Sequence, residues 1–361
     1  MILYLGLIFS YLMLSIGYLP HINQKTLLKI SLFILWILAT FRSIEIGNDT
    51  KSYYELFKKI CMTGNYHNMT WRFEIGYLWI NKVISYLTNN FTVFLGLINT
   101  FIYIIYYYFI KQYSNNYMMS VFLFFTLGMW GNTLNIIRLE LAITLALLGF
   151  MIIKNRNKKR LLGIILSLLP ITFQRISIVY IFGLLIPNKI NKKYLIITFF
   201  GTLIIVLFLP SIVNFVGSIV PYFANYYLQK GSTYSIDGIK LASILNITIA
   251  LSVFLFGFII YEKYSGKNNQ SSDIAQQINM IWISFLILLV SLRFNLIDRC
   301  SYFFWTFSIV MIPNICGYIK GKNNRIIVMF LIFLLCILYF VVTTVYRPEW
   351  NTIYPYKLVL L

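Results

Sequence analysis

The sequence predicts an all-α integral membrane protein with eleven to twelve transmembrane helices, about twelve in the reading preferred below. Sixty per cent of its 361 residues are hydrophobic and only 11% are charged, whereas a soluble domain covers itself with about a quarter charged residues. Much of the outside must therefore face lipid. The apolar runs are continuous rather than alternating, which selects helices over a barrel, the only other fold that satisfies its backbone in hydrocarbon. Short polar connections separate them, so residues 1–361 read as a single polytopic domain with no separate soluble part.

Taken in order, the spans fall near 2–18, 27–41, 91–110, 117–133, 139–153, 161–173, 176–187, 194–210, 242–261, 277–293, 300–318 and 325–346, each compared with the ~20 residues that cross a bilayer as a helix. Met1–Tyr18 lacks a basic leader and a small-residue cleavage site, so it reads as a first span rather than a signal peptide. The sixth and seventh runs are short and meet at the polar pair Gln174-Arg175, which predicts a tilted pair or a broken or re-entrant element. Two longer connections, at about 42–90 and 211–241, stand outside this pattern.

Alternate connections differ in charge. Segments 19–29, 111–116, 154–160, 188–193, 262–276 and 319–325 hold 16 of the 30 Lys and Arg in short loops; the other set spreads 14 over more than twice the length. The dense set is cytoplasmic by the positive-inside rule, which puts both termini and the segments 42–90 and 211–241 on the extracytoplasmic side. That rule also accounts for much of the +20 net charge, leaving no case for nucleic acid. The outer set holds seven of the ten arginines and eight of the ten acidic residues. A topology signal needs only positive charge, which Lys supplies. Arg adds a planar fork that grips phosphate or carboxylate with two bonds, so the bias points to an outer face that handles an anion.

The candidate chemistry sits on that face. In "FRSIEIGNDTKSYYELF", Glu45, Asp49 and Tyr53 recur at helical spacing and Asp49-Thr50 could cap a helix running through Phe57; an interfacial amphipathic helix is the plainer reading. In "WRFEIGYLWI", Glu74 stands among Trp71, Phe73, Tyr77 and Trp79, a setting that suits a general acid or base, although an aromatic belt alone would explain the rings. In "NTLNIIRLELA", Asn135 and Arg138 share a helical face at the outer end of a span, with Glu140 deeper. Ionisable residues at such depth are costly and usually functional, and a spacing of two keeps Arg138 and Glu140 off a common face. Gln174 and Arg175 form the hinge in "PITFQRISIVY". Arg293, Asp298 and Arg299 cluster in "RFNLIDRCSYFFW", and the tail "RPEWNTIYPYKLVLL" looks like an ordered loop. Cys61, Cys300, Cys316 and Cys336 are scattered without a CxxC pair, and His21 and His67 are the only histidines, so neither metal site nor disulfide is expected; no cofactor is implied.

Five of these motifs, in order, resemble the EpsG family of Wzy-type polysaccharide polymerases. They are R-x-x-x-x-G-x-D-T-x-x-Y (Arg42, Gly47, Asp49, Thr50, Tyr53), E-x-G-Y (Glu74, Gly76, Tyr77), N-x-x-R (Asn135, Arg138), D-R-x-x-Y (Asp298, Arg299, Tyr302) and Y-P-Y (Tyr354, Pro355, Tyr356). The resemblance implies a multi-pass protein of the bacterial plasma membrane that joins undecaprenyl-pyrophosphate oligosaccharide repeat units into O-antigen, capsule or exopolysaccharide. Donor and acceptor are both lipid-linked, and a flippase and chain-length regulator of the same pathway are the implied partners. On this reading Glu74 and Asp49 carry catalysis. Arg42, Tyr53, Asn135, Arg138, Gln174, Arg175, Arg293, Asp298 and Arg299 bind substrate. Leu139 stands where the family often has Gln, and Gln174 where it often has His. Gln is no base at neutral pH, so a carboxylate, or positioning of a good leaving group alone, must serve.

Two other classes fit the composition. A lipid-linked oligosaccharide flippase would carry charge along a central cavity and show two similar halves; here the charge gathers at outer helix ends, and no internal repeat is visible. A ligase-like or sugar-modifying membrane transferase shares the chemistry and differs in acceptor.

Overall fold

The computed structural model describes residues 2–16, 23–66, 69–70, 72–155, 159–219, 241–264 and 272–359. The expected segment at 211–241 falls mostly outside these, as do Trp71, His21 and His67. Helices and the turns that join them make up the described residues, apart from a single isolated β-bridge between Arg42 and Leu358.

The helices in chain order are α1 (Ile2–Ile16), α2 (Gln24–Thr40), α3 (Thr50–Thr63), α4 (Ile75–Ser85), α5 (Phe91–Tyr113), α6 (Tyr117–Thr126), α7 (Met129–Asn135), α8 (Ile137–Lys154), α9 (Arg160–Leu168), α10 (Lys192–Ile219), α11 (Leu241–Tyr264), α12 (Ser272–Ser291), α13 (Asp298–Trp305), α14 (Ser308–Tyr318) and α15 (Lys322–Val341). Side-chain caps start several of them. Asn23, Asn90 and Asn116 accept the backbone N–H of Lys25, Thr92 and Met119 at 2.8–3.0 Å, relieving donors that a helix start leaves unpaired.

Among the described residues, five helices are long and apolar enough to cross a membrane: α5, α10, α11, α12 and α15 with its extension to Tyr346. A sixth candidate is α13 and α14, which the 49° bend between them makes a broken span. The remaining predicted spans coincide with helices that are shorter or more charged. Helix α1 has 15 residues and α2 has 17, below the ~20 of a full crossing, and α8 carries Arg138, Glu140 and Lys154 in its 18. The expected break at Gln174 is present. Helix α9 tightens into a 3₁₀ turn at Leu169–Thr172, and after Phe173-Gln174 a further 3₁₀ stretch runs Arg175–Leu185. Such a run is unusually long for this geometry.

The chain forms two compact units, Met1–Ile178 with Ile319–Leu361, and Val179–Tyr318. In the first, Tyr4 of α1 sits in an aromatic cage of Phe125, Trp130, Phe340, Tyr354 and Tyr356, with ring centroids 5.8–6.4 Å apart. Its hydroxyl donates to the Ile353 carbonyl at 2.5 Å. The tail is thereby an ordered part of the core, as the sequence suggested. Helices α8 and α9 pack through small residues: a Cβ on Gly149 would lie 2.8 Å from the Gly163 carbonyl, the close approach that membrane helices use. In the second unit, α12 is the hub. Its Trp282 donates to Thr198 at 2.9 Å, and its Asn279 amide caps the carbonyls of Pro187 and Lys189 at 2.9 and 3.1 Å.

Candidate functional site

The first motif folds as a tight turn rather than a continuous helix. Gly47 has φ +87°, and a Cβ there would lie 2.5 Å from the Leu134 carbonyl and 3.0 Å from Asn135 Cα. Glycine therefore lets this turn dock against the end of α7. Two bonds fix the contact: Asp49 N–H donates to Asn135 Oδ1 at 3.1 Å, and Thr50 Oγ1 donates to the Leu134 carbonyl at 3.0 Å. Helix α3 starts only at Thr50. The expectation that Glu45 shares a helical face with Asp49 and Tyr53 is thus corrected. Glu45 precedes the turn and pairs with Lys357 of the tail at 2.5 Å. That lysine, by hydrogen bond and charge, holds the Glu45 carboxyl below the usual carboxylate range. Asp49 occupies the N-cap position, but its side chain makes no capping bond.

The tail clasps the other side of the turn. Gly47 N–H donates to the Thr352 carbonyl at 3.1 Å, the Thr352 hydroxyl donates to Asn48 Oδ1 at 2.7 Å, and the Asn48 amide donates to the Trp350 carbonyl at 3.2 Å. The Ser43 N–H donates to the Lys357 carbonyl at 2.9 Å beside the antiparallel Arg42–Leu358 bridge, and the Tyr356 hydroxyl donates to the Leu38 carbonyl at 2.5 Å.

At the centre the second and third motifs meet. Arg138 Nη1 lies 2.5 Å from Glu74 Oε2, with side chains 16% and 12% exposed. The other Glu74 oxygen accepts the backbone N–H of Arg175 at 3.3 Å, and Arg175 Nη2 reaches the Thr70 carbonyl at 3.4 Å. The hinge is therefore part of the site through its backbone and its arginine, while the Gln174 side chain is half-buried nearby. Gly76 makes this possible: a Cβ there would stand 2.5 Å from Thr172 Oγ1 and 2.7 Å from its carbonyl. Phe73 and Tyr53 flank the guanidinium, with ring centroids 4.9 and 5.9 Å from Arg138 Cζ, within cation–π range. Tyr77 stacks edge-on to Tyr53 at 5.6 Å. Arg138 and Glu140 part as their spacing required. Glu140 is fully buried and accepts the Tyr106 hydroxyl at 3.0 Å.

Behind this pair lies Arg42, 1% exposed. One amino group donates to the Ala39 carbonyl, its Nε and Nη2 are buried without an acceptor, and four tyrosines (Tyr53, Tyr77, Tyr103 and Tyr356) surround it. The Tyr77 hydroxyl and Arg138 Nε are likewise buried without a partner. Sequence reasoning missed the Tyr77 hydroxyl and the Arg72–Ser52 bond of 3.2 Å; position within E-x-G-Y was the only signal for Tyr77, and Arg72 gave none. In the second unit, Arg293 is exposed, and Asp298 and Arg299 open α13, half-buried, with the Ser301 hydroxyl donating to the Asp298 carbonyl at 2.6 Å. Among the described residues, no group of three His, Cys, Asp or Glu could hold a metal ion.

Fold and site together define an all-helical membrane protein whose ionisable residues gather at helix ends, where such residues mark a functional site. The chain belongs to the EpsG family, whose model matches residues 25–358, nearly its whole length. That family is Wzy-like, which makes the chain a polysaccharide-polymerase-type membrane glycosyltransferase. No curated protein and no solved structure matches it.

Proposed function

We propose that this protein polymerises undecaprenyl-pyrophosphate-linked oligosaccharide repeat units at the outer face of the bacterial plasma membrane, producing O-antigen, capsule or exopolysaccharide. The observation that carries this reading is the Glu74–Arg138 pair, assembled from two family motifs at the start of α8 and walled by Phe73, Tyr77 and, from a third motif, Tyr53. Aromatic walls suit sugar faces, and the arginine fork suits pyrophosphate.

In the proposed reaction the acceptor hydroxyl attacks the anomeric carbon of the donor. The bond from that carbon to the pyrophosphate oxygen breaks, and its electron pair leaves with the lipid pyrophosphate. Glu74 takes the hydroxyl proton. In the free protein Arg138 occupies this carboxylate; an arriving pyrophosphate competes for the guanidinium and frees Glu74 for the acceptor. Donor binding would thus switch on the base, which limits wasteful hydrolysis. Arg175 adds a second cation beside the leaving group. Asp49 and Asn135 orient acceptor hydroxyls, and Arg42 and Gln174 support the wall. Arg293, Asp298 and Arg299 form a further candidate substrate-binding group within the second unit. A flippase and a chain-length regulator would act beside it.

Deletion of the gene followed by a gel of surface polysaccharide tests the reading. Long chains should vanish while a single repeat unit remains on its carrier or lipid core. A complete absence of repeat units would indicate a flippase instead.

A further inference from the structure

One helical turn along α8 from Arg138, the structure opens a groove of about 330 Å³ lined by apolar residues. The elements that carry the charges also build its walls. Leu141 and Leu145 of α8 follow Arg138 by three and seven residues, so they continue its helical face. Ile80 and Val83 lie on α4, which begins directly after Glu74, and Leu169 and Phe173 immediately precede the Gln174-Arg175 hinge. Leu97 of α5 forms an open rim, 45% exposed. A charged site one helical turn from an apolar groove fits an amphiphile that carries an anionic head on a hydrocarbon chain.

We propose that this groove binds the first isoprene units of the polyprenyl chain behind the donor pyrophosphate. This rests on the polymerase reading and adds a subsite to it. The tail fixes the depth and direction of the pyrophosphate, so that the anomeric carbon presents to Glu74. A groove for bulk lipid would need no arginines at its end. A second groove, between α2 and α5, is lined by Lys29, Trp36 and Ile104 and has no such carboxylate–arginine pair.

The test uses purified full-length protein in nanodiscs and two light-activated probes, a diazirine-bearing polyprenyl pyrophosphate without sugar and a phosphatidylethanolamine with the diazirine on its acyl chain. The prenyl probe should label α4, Leu97 and the first two turns of α8, and excess unlabelled polyprenyl pyrophosphate should suppress the labelling. Val83→Trp and Leu97→Trp, both at the exposed rim, should shift the labelling to about tenfold higher probe concentration and raise KM for long-chain donor by a similar factor, as expected for losing about two buried methylenes. They should leave KM unchanged for a donor whose pyrophosphate ends in a methyl ester in place of the polyprenyl chain. Ile104→Trp, in the other groove, should change neither. Equal labelling by the acyl probe without competition, or rim variants that alter nothing, would overturn the groove. Failure of the wild type to extend any complete donor would sink the polymerase reading instead, whatever the labelling shows.

Discussion

At the scale of single residues, the site turns on two side chains that the sequence placed in separate motifs and the fold joined. Glu74 and Arg138 lie 2.5 Å apart with little exposure. Removing one partner of such a pair leaves a desolvated charge, at a cost of about 3–5 kcal/mol. Arg138→Lys is therefore expected to fail nearly as badly as Arg138→Ala. Lys keeps the charge but loses the fork that can hold Glu74 in one state and pyrophosphate in the other. Full polymer from Arg138→Lys at matched protein level would show that the charge alone matters. Glu74→Gln should bind lipid-linked donor yet lose polymerisation by ~10²–10⁴-fold, the usual worth of a general base, while Asp49→Asn should raise the acceptor concentration needed. These are separable in vitro by varying acceptor at fixed donor. If Glu74→Gln runs at the wild-type rate and Gln174→Ala is the dead variant, catalysis lies at the hinge side chain.

At the scale of elements, two glycines do what no helix propensity could announce. Gly47→Val would force a side chain to within 2.5 Å of the Leu134 carbonyl in a left-handed conformation, and Gly76→Val would meet Thr172 as closely. Each should destabilise the protein by about 1–3 kcal/mol and lower its melting temperature in detergent; unchanged melting for both would mean that the turn and α4 do not pack as described. Glu45→Gln should do far less. Its bond to Lys357 is fully present above the ordinary carboxylate range and fades as pH falls through the lowered value, but an exposed pair contributes little. The apolar helices were legible because length and hydropathy are local quantities, and so was the ordered tail, through its aromatics and prolines. The clasp between Asn48 and Thr352 was not, since its partners lie 304 residues apart and nothing local marks them as neighbours. The Glu45 helical face failed for a related reason: spacing alone hides the φ +87° turn at Gly47 that interrupts it.

At the scale of the whole molecule, the charge distribution predicts one orientation in the membrane, and every role proposed above depends on it. Lysine-dense connections such as 319–325 are short and sit beside apolar helices, the arrangement that retains a loop in the cytoplasm. The connection carrying α3 and α4 is longer, richer in arginine and carboxylate, and folded onto the tail by the Glu45–Lys357 and Asn48–Thr352 contacts. Since these segments are clasped together, 42–90 and 347–359 must share one side. A reporter active only outside the cytoplasm should therefore be active when fused after Asn65 and silent after Asn323. Fusions after Gln229 and Asn157, which lie outside the described residues, should be active and silent respectively by the same charge rule. Reversal at two or more of these sites would place Glu74 and Arg138 on the cytoplasmic side. The arginine bias would then face cytoplasmic donors, and a polymerase drawing on already exported repeat units would no longer fit this chain.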